Sequence, residues 1–482
     1  MTTAPHRPRG DVFDVAVIGA GVVGAAIARE LSGHHVSVAL IEARDDVGDG
    51  TSKANTAILH TGFDAVPGTL ESRLVARGHH ALSAYAKATG IPVERTGAVL
   101  VAWNDEELDA LPGLRAKAEA NGYTHCRIVD AEEIHRVLPA LGAGALGGLT
   151  VPDESIICTW TTTLALATDA RQRGTTLLLE HAVTGVGRDE ETTTLHTSAG
   201  EVRARWVVNA AGLGADHVDR LFGHDRFTVT PRRGELLVFD KLARPLVDRI
   251  VLPVPTFRGK GVLISPTVYG NVMLGPTAED LEDRSDTATS EDGLDFLLAM
   301  GERLMPRLTA EEVTACYAGL RAAVDHSDYL IEATPGQRYL LVGGIRSTGL
   351  SASLAIAEHC RGLLEKAGLP LEPRDTLPAP PRMPNLGEAT RRPYQDAGLI
   401  ARDPAYGTVV CFCERVTEGE IRDACHAPVP ARGLDGLRRR TRAMNGRCQG
   451  AFCGAAVAAL REKHHAHDGC HSQGEDKDED TR

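Results

Sequence analysis

The chain has 482 residues, enough for two large domains or three of ordinary size. Hydrophobic residues at 43% and charged residues at 24% are typical of a globular protein and exclude disordered, collagenous and coiled-coil classes. The 65 acidic residues outnumber the 52 basic ones, and a formal charge of -13 disfavours nucleic acid and anionic membranes as partners. The sequence shows neither an uncharged apolar run long enough to span a membrane nor a secretion signal, which predicts a soluble cytoplasmic protein without a transmembrane segment.

A short apolar strand, a glycine turn and a helix come first in the chain. The strand predicted from Val12 to Ile18 runs into Gly19-Ala-Gly21-Val-Val-Gly24, and a second strand ends at Glu42. Gly19 permits the tight turn, Gly21 lets the backbone approach a pyrophosphate, and Gly24 packs the helix on the strand. Glu42 follows the last glycine at the spacing where a carboxylate can accept hydrogen bonds from ribose hydroxyls. These features predict a dinucleotide site.

Three later segments extend this pattern. From Gly48 to Gly62 the chain is rich in hydroxyl and amide donors, which suits a loop along an extended pyrophosphate better than the next strand of a compact nicotinamide domain. The segments Trp206 to Gly214 and Tyr339 to Gly349 each read as a strand that ends in glycines. Strand-to-glycine turns this far apart in the chain predict a nucleotide domain assembled from separate segments.

These segments carry a family resemblance. Residues 15–62, 207–216 and 344–350 resemble FAD-dependent oxidoreductases of the D-amino-acid-oxidase superfamily, and within it glycerol-3-phosphate dehydrogenases and L-2-hydroxyglutarate oxidases. The resemblance spans about residues 12 to 365 and implies FAD as the cofactor. It implies that six residues bind the nucleotide half of FAD: Gly19, Gly21, Gly24, Glu42, Thr51 and Ser52. It implies that four more lie beside the flavin ring: Gly344, Thr348, Gly349 and Leu350.

We therefore expect an α/β architecture with two domains in this part of the chain. Residues 12–70, 150–225 and 322–368 are predicted to form a discontinuous Rossmann-like FAD-binding domain. Residues 71–149 and 226–321 are predicted to form an α+β substrate domain. Short β-rich runs in the latter, separated by turn residues, predict a sheet that lies over the cofactor.

Two arginines are candidates for binding a substrate anion. Arg321, in AGLRAA, and Arg346, in GGIRSTG, each follow an apolar strand-like run. A guanidinium at a buried strand end can clamp a carboxylate or phosphate through two hydrogen bonds, and the superfamily resemblance implies this role for both. The alternative is an arginine paired with a structural carboxylate such as Asp325 or Asp328.

An alcohol oxidation also requires a base, because a hydroxyl proton must be removed. His60, in ILHTG, matches a histidine near the flavin in the resembled enzymes, so we predict that it orients substrate or accepts a proton, with a structural histidine as the alternative. His326 is a rival base. Arg258 and Lys260 would favour phosphate over carboxylate if they reached the pocket, and surface positions are the alternative for both.

The C-terminal part of the chain has a different composition. Between residues 370 and 404 lie eight of the 25 prolines, which predicts a Pro-rich linker over residues 369–408. Most of the cysteines follow this segment, and clustering in a cytosolic chain favours metal binding over disulfides. A CxC pair, Cys411 and Cys413, and a later CxxxxC pair, Cys448 and Cys453, can together bind two irons. A structural zinc site is the alternative.

The segment from Val409 to Leu460 resembles the bacterioferritin-associated-ferredoxin type of 2Fe-2S domain. The patterns CxCERVTEGEI and LRRRTRAMNGRCQGAFC also resemble the C-terminus of catalytic subunits of anaerobic glycerol-3-phosphate dehydrogenases. The resemblance implies a small cysteine-rich iron-sulfur domain over residues 409–462, with these four cysteines as ligands of a 2Fe-2S cluster. Residues 463–482 are predicted to form a disordered tail.

Together these patterns predict a flavin dehydrogenase that oxidises a small anionic alcohol, with sn-glycerol 3-phosphate to dihydroxyacetone phosphate as the leading reaction. An L-2-hydroxyacid such as L-2-hydroxyglutarate, or an amino acid, is the alternative substrate. Electrons would pass through the cluster to a separate acceptor protein or quinone-linked subunit, which could hold the protein at the inner face of the membrane. A C-terminal interaction or iron-delivery domain is the alternative. The N-terminal half has no second complete GxGxxG unit and no CxxxxC pair, which disfavours a nicotinamide-disulfide reductase.

Overall fold

The computed structural model describes residues 12–255 and 261–468. The chain divides into two compact units, Met1–Met383 and Pro384–Arg482. This division falls inside the predicted linker of residues 369–408, so the second half of that segment belongs to the C-terminal unit. There Arg392 is 1% exposed and its guanidinium lies 3.3 Å from the carboxylate of Glu420. A buried, paired arginine is a feature of a folded segment.

Strands and helices alternate through most of the chain. The strands are β1 (Val12–Ile18), β2 (Val38–Ile41), β3 (Ile58–Leu59), β4 (Val93–Glu94), β5 (Ala98–Ala102), β6 (Arg127–Asp130), β7 (Gly147–Val151), β8 (Ser155–Ile157), β9 (Thr176–Leu178), β10 (Val183–Arg188), β11 (Thr193–Thr197), β12 (Gly200–Asn209), β13 (Thr230–Phe239), β14 (Ile250–Pro253), β15 (Leu263–Pro266), β16 (Val272–Gly275), β17 (Glu279–Asp280), β18 (Val313–Ala323), β19 (Leu330–Thr334), β20 (Tyr339–Gly343), β21 (Val409–Cys411) and β22 (Val416–Thr417).

The helices are α1 (Val22–Leu31), α2 (Leu70–Thr89), α3 (Asp105–Ala120), α4 (Ala131–Val137), α5 (Thr159–Gln172), α6 (Ala215–Leu221), α7 (Glu291–Leu304), α8 (Pro306–Thr309), α9 (Gly349–Lys366), α10 (Ala397–Arg402), α11 (Glu418–Cys425), α12 (Leu434–Thr441) and α13 (Gly454–Asp468). Because α13 continues to Asp468, the first residues of the predicted disordered tail are helical. The rest of that tail, residues 469–482, lies outside the described residues.

The first sheet of the larger unit joins three distant parts of the chain. Strand β1 pairs in parallel with β2 on one side and with β12 on the other, and β12 pairs in parallel with β20. The glycine joints that follow β1, β12 and β20 therefore meet at the carboxyl edge of one sheet, where α/β folds bind nucleotides. Strand β1 is apolar at Val15, Ala16 and Val17, all fully buried, as is typical of a parallel strand covered on both faces. The predicted discontinuous Rossmann-like fold is confirmed.

The second sheet is large and mostly antiparallel. Its strand order is β17-β13-β16-β15-β14-β5-β7-β6, with β18 also paired to β13. The strands come from two segments of the chain, around residues 98–151 and 230–323. A core that includes Val99, Phe239 and Leu297 packs beneath it.

Helix α2 departs from the predicted division into domains. Its residues fall in the segment 71–149 predicted for the substrate domain, but the helix packs on α9, which follows β20 of the first sheet. Gly78 allows this contact, because a Cβ atom there would lie 2.3 Å from the carbonyl oxygen of Ser351. The N-terminal ends of α2 and α9 consequently supply side chains to the same site.

The C-terminal unit has a core of its own, formed by β21, β22 and helices α11 to α13. Thr417 and Glu420 form a capping box at the start of α11, with the Thr417 N–H donating to Glu420 Oε2 at 2.9 Å. Cys425 is 1% exposed in this core.

The arginines at the end of α12 do not form one solvated face. Arg440 and Arg442 are buried, at 4% and 5% exposure. Arg440 donates to the carbonyl of Val429 at 3.1 Å, and Arg442 forms an ion pair with Glu414 at 3.2 Å. Arg438 is partly exposed. Arg440 and Arg442 therefore support the fold of this unit, and Arg442 does so next to Cys413.

Candidate active site

A cavity of about 610 Å³ is lined by residues of both sheets of the larger unit. With the exception of Gly24, every residue predicted for the cofactor and substrate sites lines this cavity, from Gly19 to Leu350. The remaining members are Gly21, Glu42, Thr51, Ser52, His60, Arg321, Gly344, Arg346, Thr348 and Gly349. The fold thus brings the motifs from three separate chain segments to one place.

The glycine turn after β1 has no room for side chains. A Cβ atom on Gly19, whose φ is +98°, would lie 2.5 Å from the carbonyl oxygen of Ala210. A Cβ atom on Gly24 would lie 1.8 Å from the carbonyl oxygen of Gly19, so Gly24 packs α1 on β1 behind the cavity. Helix α1 begins after Gly21 without a side-chain cap from that residue. Gly21, Val22 and Val23 line the cavity, so the helix dipole would stabilise the charge of a pyrophosphate bound there.

Glu42 is held in the position predicted for ribose binding. Its carboxylate accepts hydrogen bonds from the N–H groups of Ala20, at 2.8 Å, and Arg44, at 3.0 Å. Burial raises the pKa of Glu42, and these two backbone hydrogen bonds offset only part of that effect. A buried carboxylate of this kind gains from further donors, which the hydroxyl groups of a ribose supply.

Thr51 and Ser52 connect the nucleotide end of the cavity to its neighbours. The Ser52 hydroxyl oxygen accepts a hydrogen bond from the Val22 N–H at 3.0 Å, in the first turn of α1. The Thr51 hydroxyl donates to the carbonyl of Leu320 at 2.8 Å. Leu320 precedes Arg321 on β18, so this contact fixes the nucleotide loop relative to a candidate substrate residue.

The loop between β20 and α9 forms another part of the cavity wall. Gly344 has φ of +66° and lies against the backbone of Asp328 and Leu330, where a Cβ atom would be 3.2 Å away from both. The Thr348 hydroxyl donates to Glu71 at 2.8 Å and lies 2.6 Å from the Tyr329 hydroxyl. Gly349 and Leu350 begin α9 and expose its N-terminus to the cavity.

Arg321 has no carboxylate partner within residues 12–255 and 261–468. Its guanidinium donates to the carbonyl of Thr277 at 3.0 Å, and it occupies space that a Cβ atom on Gly234 would fill, 2.6 Å away. Burial lowers the pKa of Arg321, and the charge of Arg232 on the adjacent strand lowers it further. Both effects disfavour its positive charge, so an anion bound in the cavity would stabilise the guanidinium.

The other arginines that line the cavity are paired with carboxylates. Arg44 lies 3.1 Å from Asp49, and Arg284 lies 2.5 Å from Asp216. Arg346 has a positive φ of +52° and donates to Glu71, which also accepts from Thr348. Among the cavity residues that the structure describes, Arg321 is thus the arginine that lacks a carboxylate. The sequence alternative of a paired arginine fits Arg346, but its partner is Glu71 and neither Asp325 nor Asp328.

His60 has a buried carboxylate beside it. Its Nδ1 lies 3.0 Å from Glu154 Oε2, and its backbone N–H donates to the Ser351 hydroxyl at 2.8 Å. The side chain of His60 is 23% exposed, whereas that of Glu154 is fully buried. A histidine in a cavity wall with an orienting carboxylate has the arrangement of a general base.

Of the remaining sequence candidates, one lies away from the cavity and two are not among the described residues. His326 is exposed, its Nδ1 lies 2.9 Å from the Asp328 carbonyl oxygen, and it does not line the cavity. Arg258 and Lys260 lie outside the described residues. His60 is therefore the better-placed base of the two histidines considered from the sequence.

Two residues of the site carry no signal in the sequence. Glu71 stands in the first turn of α2 and Glu154 in the turn before β8, each among several ordinary surface-type acidic residues. Their partners, Arg346 and His60, are far away along the chain. Only a prediction of which helices and strands are neighbours in space would have identified them.

The four cysteines predicted as cluster ligands lie together in the C-terminal unit. Cys411 and Cys453 are buried, while Cys413 and Cys448 are partly exposed. The thiol of Cys448 is a neighbour of those of Cys413 and Cys453, and the thiol of Cys453 is a neighbour of that of Cys411. No three His, Cys, Asp or Glu side chains within residues 12–255 and 261–468 surround a single point as ligands of one metal ion would. A row of four thiols matches a donor set shared between two irons.

The fold, the glycine cradle and the buried carboxylate of Glu42 are typical of a dinucleotide-binding protein, here with an added cysteine-rich domain. Comparison with known families makes this specific. A family described as FAD dependent oxidoreductase matches residues 14–362, and a BFD-like [2Fe-2S] binding domain matches residues 409–463. The chain belongs to the FAD dependent oxidoreductase family and carries a C-terminal [2Fe-2S] binding domain.

Individual relatives agree with this assignment. Glycerol 3-phosphate dehydrogenase of Caloramator mitchellensis is 36% identical over 93% of this chain and 94% of its own length. A subunit of the anaerobic glycerol-3-phosphate dehydrogenase of Escherichia coli K12 is 26% identical over 93% of this chain and 88% of its own. The FAD-bound L-alpha-glycerophosphate oxidase of Mycoplasma pneumoniae superposes with a TM-score of 0.74 at 27% identity, covering 78% of this chain and 99% of that structure.

None of the described helices has the length and apolar character needed to cross a bilayer. The E. coli relative is, by its name, one subunit of a larger assembly.

Proposed function

We propose that the protein is a glycerol-3-phosphate dehydrogenase that converts sn-glycerol 3-phosphate to dihydroxyacetone phosphate. The observation that carries the proposal is Arg321, a cation that has no carboxylate partner among the described residues and lines the cavity of a FAD dependent oxidoreductase. The similarity to a glycerol 3-phosphate dehydrogenase over 93% of the chain supports phosphate as the anion.

The reaction removes a proton from the substrate hydroxyl and a hydride from its carbon, and FAD, when bound, supplies the hydride acceptor. Arg321 would bind the phosphate and hold the substrate in the cavity. Arg346, neutralised in part by Glu71, would add a second hydrogen-bonding cation beside it. His60 would accept the hydroxyl proton. The nucleotide part of FAD would be held by Gly19, Gly21, Glu42 and Ser52.

Anaerobic titration of the purified protein tests this proposal. Glycerol 3-phosphate is expected to bleach the flavin absorption, while L-2-hydroxyglutarate and amino acids leave it oxidised. Bleaching by L-2-hydroxyglutarate and not by glycerol 3-phosphate would establish the hydroxyacid alternative. The titration is independent of the natural electron acceptor, so a missing partner does not affect its outcome.

We also propose that Cys411, Cys413, Cys448 and Cys453 ligate a 2Fe-2S cluster that carries electrons one at a time to a separate acceptor protein. A cytoplasmic location with membrane association through that partner belongs to the same proposal. The match to a [2Fe-2S] binding domain and the row of neighbouring thiols support the ligand assignment. Glycerol 3-phosphate is expected to generate the paramagnetic signal of the reduced cluster in the native protein and none in Cys448→Ser. If the flavin is reduced while the cluster stays oxidised, the result would favour an interaction or iron-delivery role for the C-terminal domain.

A further inference from the structure

The short strands β3 and β8 place a histidine and a carboxylate side by side. They pair in antiparallel fashion, with Leu59 opposite Ser155. His60 follows Leu59 and Glu154 precedes Ser155, so the two residues continue the ladder at the edge of the cavity. This pairing explains why the His60 imidazole reaches the Glu154 carboxylate at 3.0 Å although the two residues are far apart in the chain.

The Glu154 carboxylate is fixed by more than His60. Its Oε1 accepts the Thr61 N–H at 2.7 Å and the Thr61 hydroxyl at 2.9 Å, while Oε2 faces His60 Nδ1. With these three contacts and a fully buried side chain, the carboxylate has one orientation. A carboxylate that accepts three hydrogen bonds is held in place as an acceptor, and the imidazole nitrogen facing it must then carry the proton.

The other titratable groups near Glu154 do not compete with His60 for interaction with the charge of the Glu154 carboxylate. His79, from α2, is 8% exposed, and burial lowers its pKa, with the Glu154 charge offsetting part of that effect. Burial, together with the charge of Glu154, raises the pKa of Cys126 to about 12. Both groups are neutral near pH 7, so His60, which is in hydrogen-bonding contact, is the titratable group that Glu154 orients.

We infer that Glu154 is a positioning residue for the oxidation reaction: it fixes the His60 ring with the proton on Nδ1 and leaves Nε2 as the basic nitrogen. This inference rests on the proposed function of His60 as the base. A carboxylate plays the same part toward the histidine of Ser-His-Asp triads, where it sets the tautomer and orientation of the ring. Removal of the negative charge with retention of shape should therefore impair proton transfer more than substrate binding.

The tautomer is measurable without cofactor or turnover. In the apoprotein labelled with ¹⁵N-histidine, the His60 signals are identified by their loss in His60→Gln. At a pH where the ring is neutral, the native spectrum is expected to show a protonated Nδ1 and an unprotonated Nε2. In Glu154→Gln the side-chain amide can donate to Nδ1, and the opposite tautomer is expected. A native protein with the proton on Nε2 would overturn the inference, whatever becomes of the variants.

Kinetics provide the second measurement. Glu154→Gln is expected to lower kcat by about 10²–10⁴-fold, with KM changed less than about threefold. The matched control is Glu235→Gln, since Glu235 is also buried and its carboxylate accepts the N–H and hydroxyl of Ser290 and the hydroxyl of Thr277, away from His60. This control should affect thermal stability and leave kcat near the native value. An unchanged kcat in flavin-loaded Glu154→Gln would contradict the inference.

The two proposals fail in different ways. If glycerol 3-phosphate does not reduce the native flavin, the proposed substrate is wrong, and the Glu154 comparison is then made with whichever hydroxyacid does reduce it. If the native protein is reduced and Glu154→Gln reacts equally fast, the proposed function stands and the role of Glu154 is refuted.

Discussion

The two ends of the cavity are built from different parts of the polypeptide. At the nucleotide end, backbone does most of the binding: Gly19 and Gly24 make room for close packing, and the N-terminus of α1 is open toward the cavity. At the substrate end, side chains from distant elements are set by other side chains, as Arg346 is by Glu71 and His60 is by Glu154. The first end is therefore sensitive to added volume, and the second to changes of charge.

The largest expected effect lies at the substrate end. Arg321→Ala removes the cation that has no carboxylate partner among the described cavity residues, so a bound phosphate would lose its charge partner. Loss of one member of a buried charge pair costs about 2–5 kcal/mol, or roughly 30- to 5000-fold in kcat/KM. Arg232→Ala is the control, because Arg232 lies opposite Arg321 on β13 but is exposed and paired with Asp280. Steady-state kinetics with glycerol 3-phosphate distinguish them, and equal losses would refute the anion-binding role.

At the nucleotide end the test is volume. Gly24→Ala would place a methyl group against the Gly19 carbonyl oxygen and force α1 away from β1. We expect a cost of about 1–3 kcal/mol, seen as less flavin per protein by absorbance and a lower Tm. Gly362→Ala is the control, since a Cβ atom there would meet nothing within 4 Å and alanine favours the helix. Full flavin content in Gly24→Ala would show that this packing is not needed for binding.

A smaller effect is expected from the carboxylate beside Arg346. Glu71→Gln keeps a hydrogen-bond acceptor for Thr348 and removes the negative charge, so Arg346 attracts the substrate anion more strongly. An ion pair of this kind contributes up to about 1 kcal/mol, so KM should fall by at most about fivefold with kcat unchanged. Glu358→Gln, in an exposed pair with Arg77, should leave KM as it is. A rise of KM in Glu71→Gln would mean that Glu71 holds Arg346 in its binding position.

The smallest effect concerns stability and pH. Asp328 accepts the N–H groups of Leu70 at 2.6 Å and Glu71 at 2.8 Å and so caps α2. Burial alone would raise the pKa of Asp328, but the backbone hydrogen bonds from Glu71 and Leu70 outweigh it and the pKa lies below its usual value. Because the folded pKa is depressed, this stabilisation is present above the usual pKa of about 4 and is lost as pH falls through the folded pKa.

Asp328→Asn should therefore lower the Tm at neutral pH, by an amount equivalent to about 1 kcal/mol for a helix cap. The difference from the native Tm should shrink as the pH falls below about 4. Asp325→Asn, at an exposed position shortly before it in the chain, serves as the control. A difference that stays constant into acid would exclude the carboxylate charge as its cause.

The contrast between the two ends also explains what the sequence could predict. The strand, glycine turn and acidic residue at Gly19 to Glu42 are a local pattern, and backbone chemistry requires those residues at that spacing. The joints at Gly212 and Gly344 follow strands of the same sheet, so the discontinuous fold was predictable from three similar segments. The cysteine spacing of Cys411 to Cys453 indicated the second domain in the same way.

The substrate end was predictable only in part. Arg321 and Arg346 were predicted because each follows an apolar strand-like run, and His60 because it matches a histidine near the flavin in the resembled enzymes. The sequence does not tell which of the two arginines is neutralised. Glu71 becomes a partner of Arg346 only when α2 packs on α9. Glu154 becomes a partner of His60 only when β3 pairs with β8. The boundary at Met383 was missed because a proline-rich composition does not reveal that Arg392 is buried in the C-terminal unit.

A crystal structure of the flavin-loaded enzyme with dihydroxyacetone phosphate tests the central claim most directly. The account predicts the phosphate oxygens at about 3 Å from the Arg321 guanidinium and the product carbonyl oxygen within hydrogen-bonding reach of His60. A phosphate bound away from Arg321, with His60 remote from the carbonyl oxygen, would contradict it.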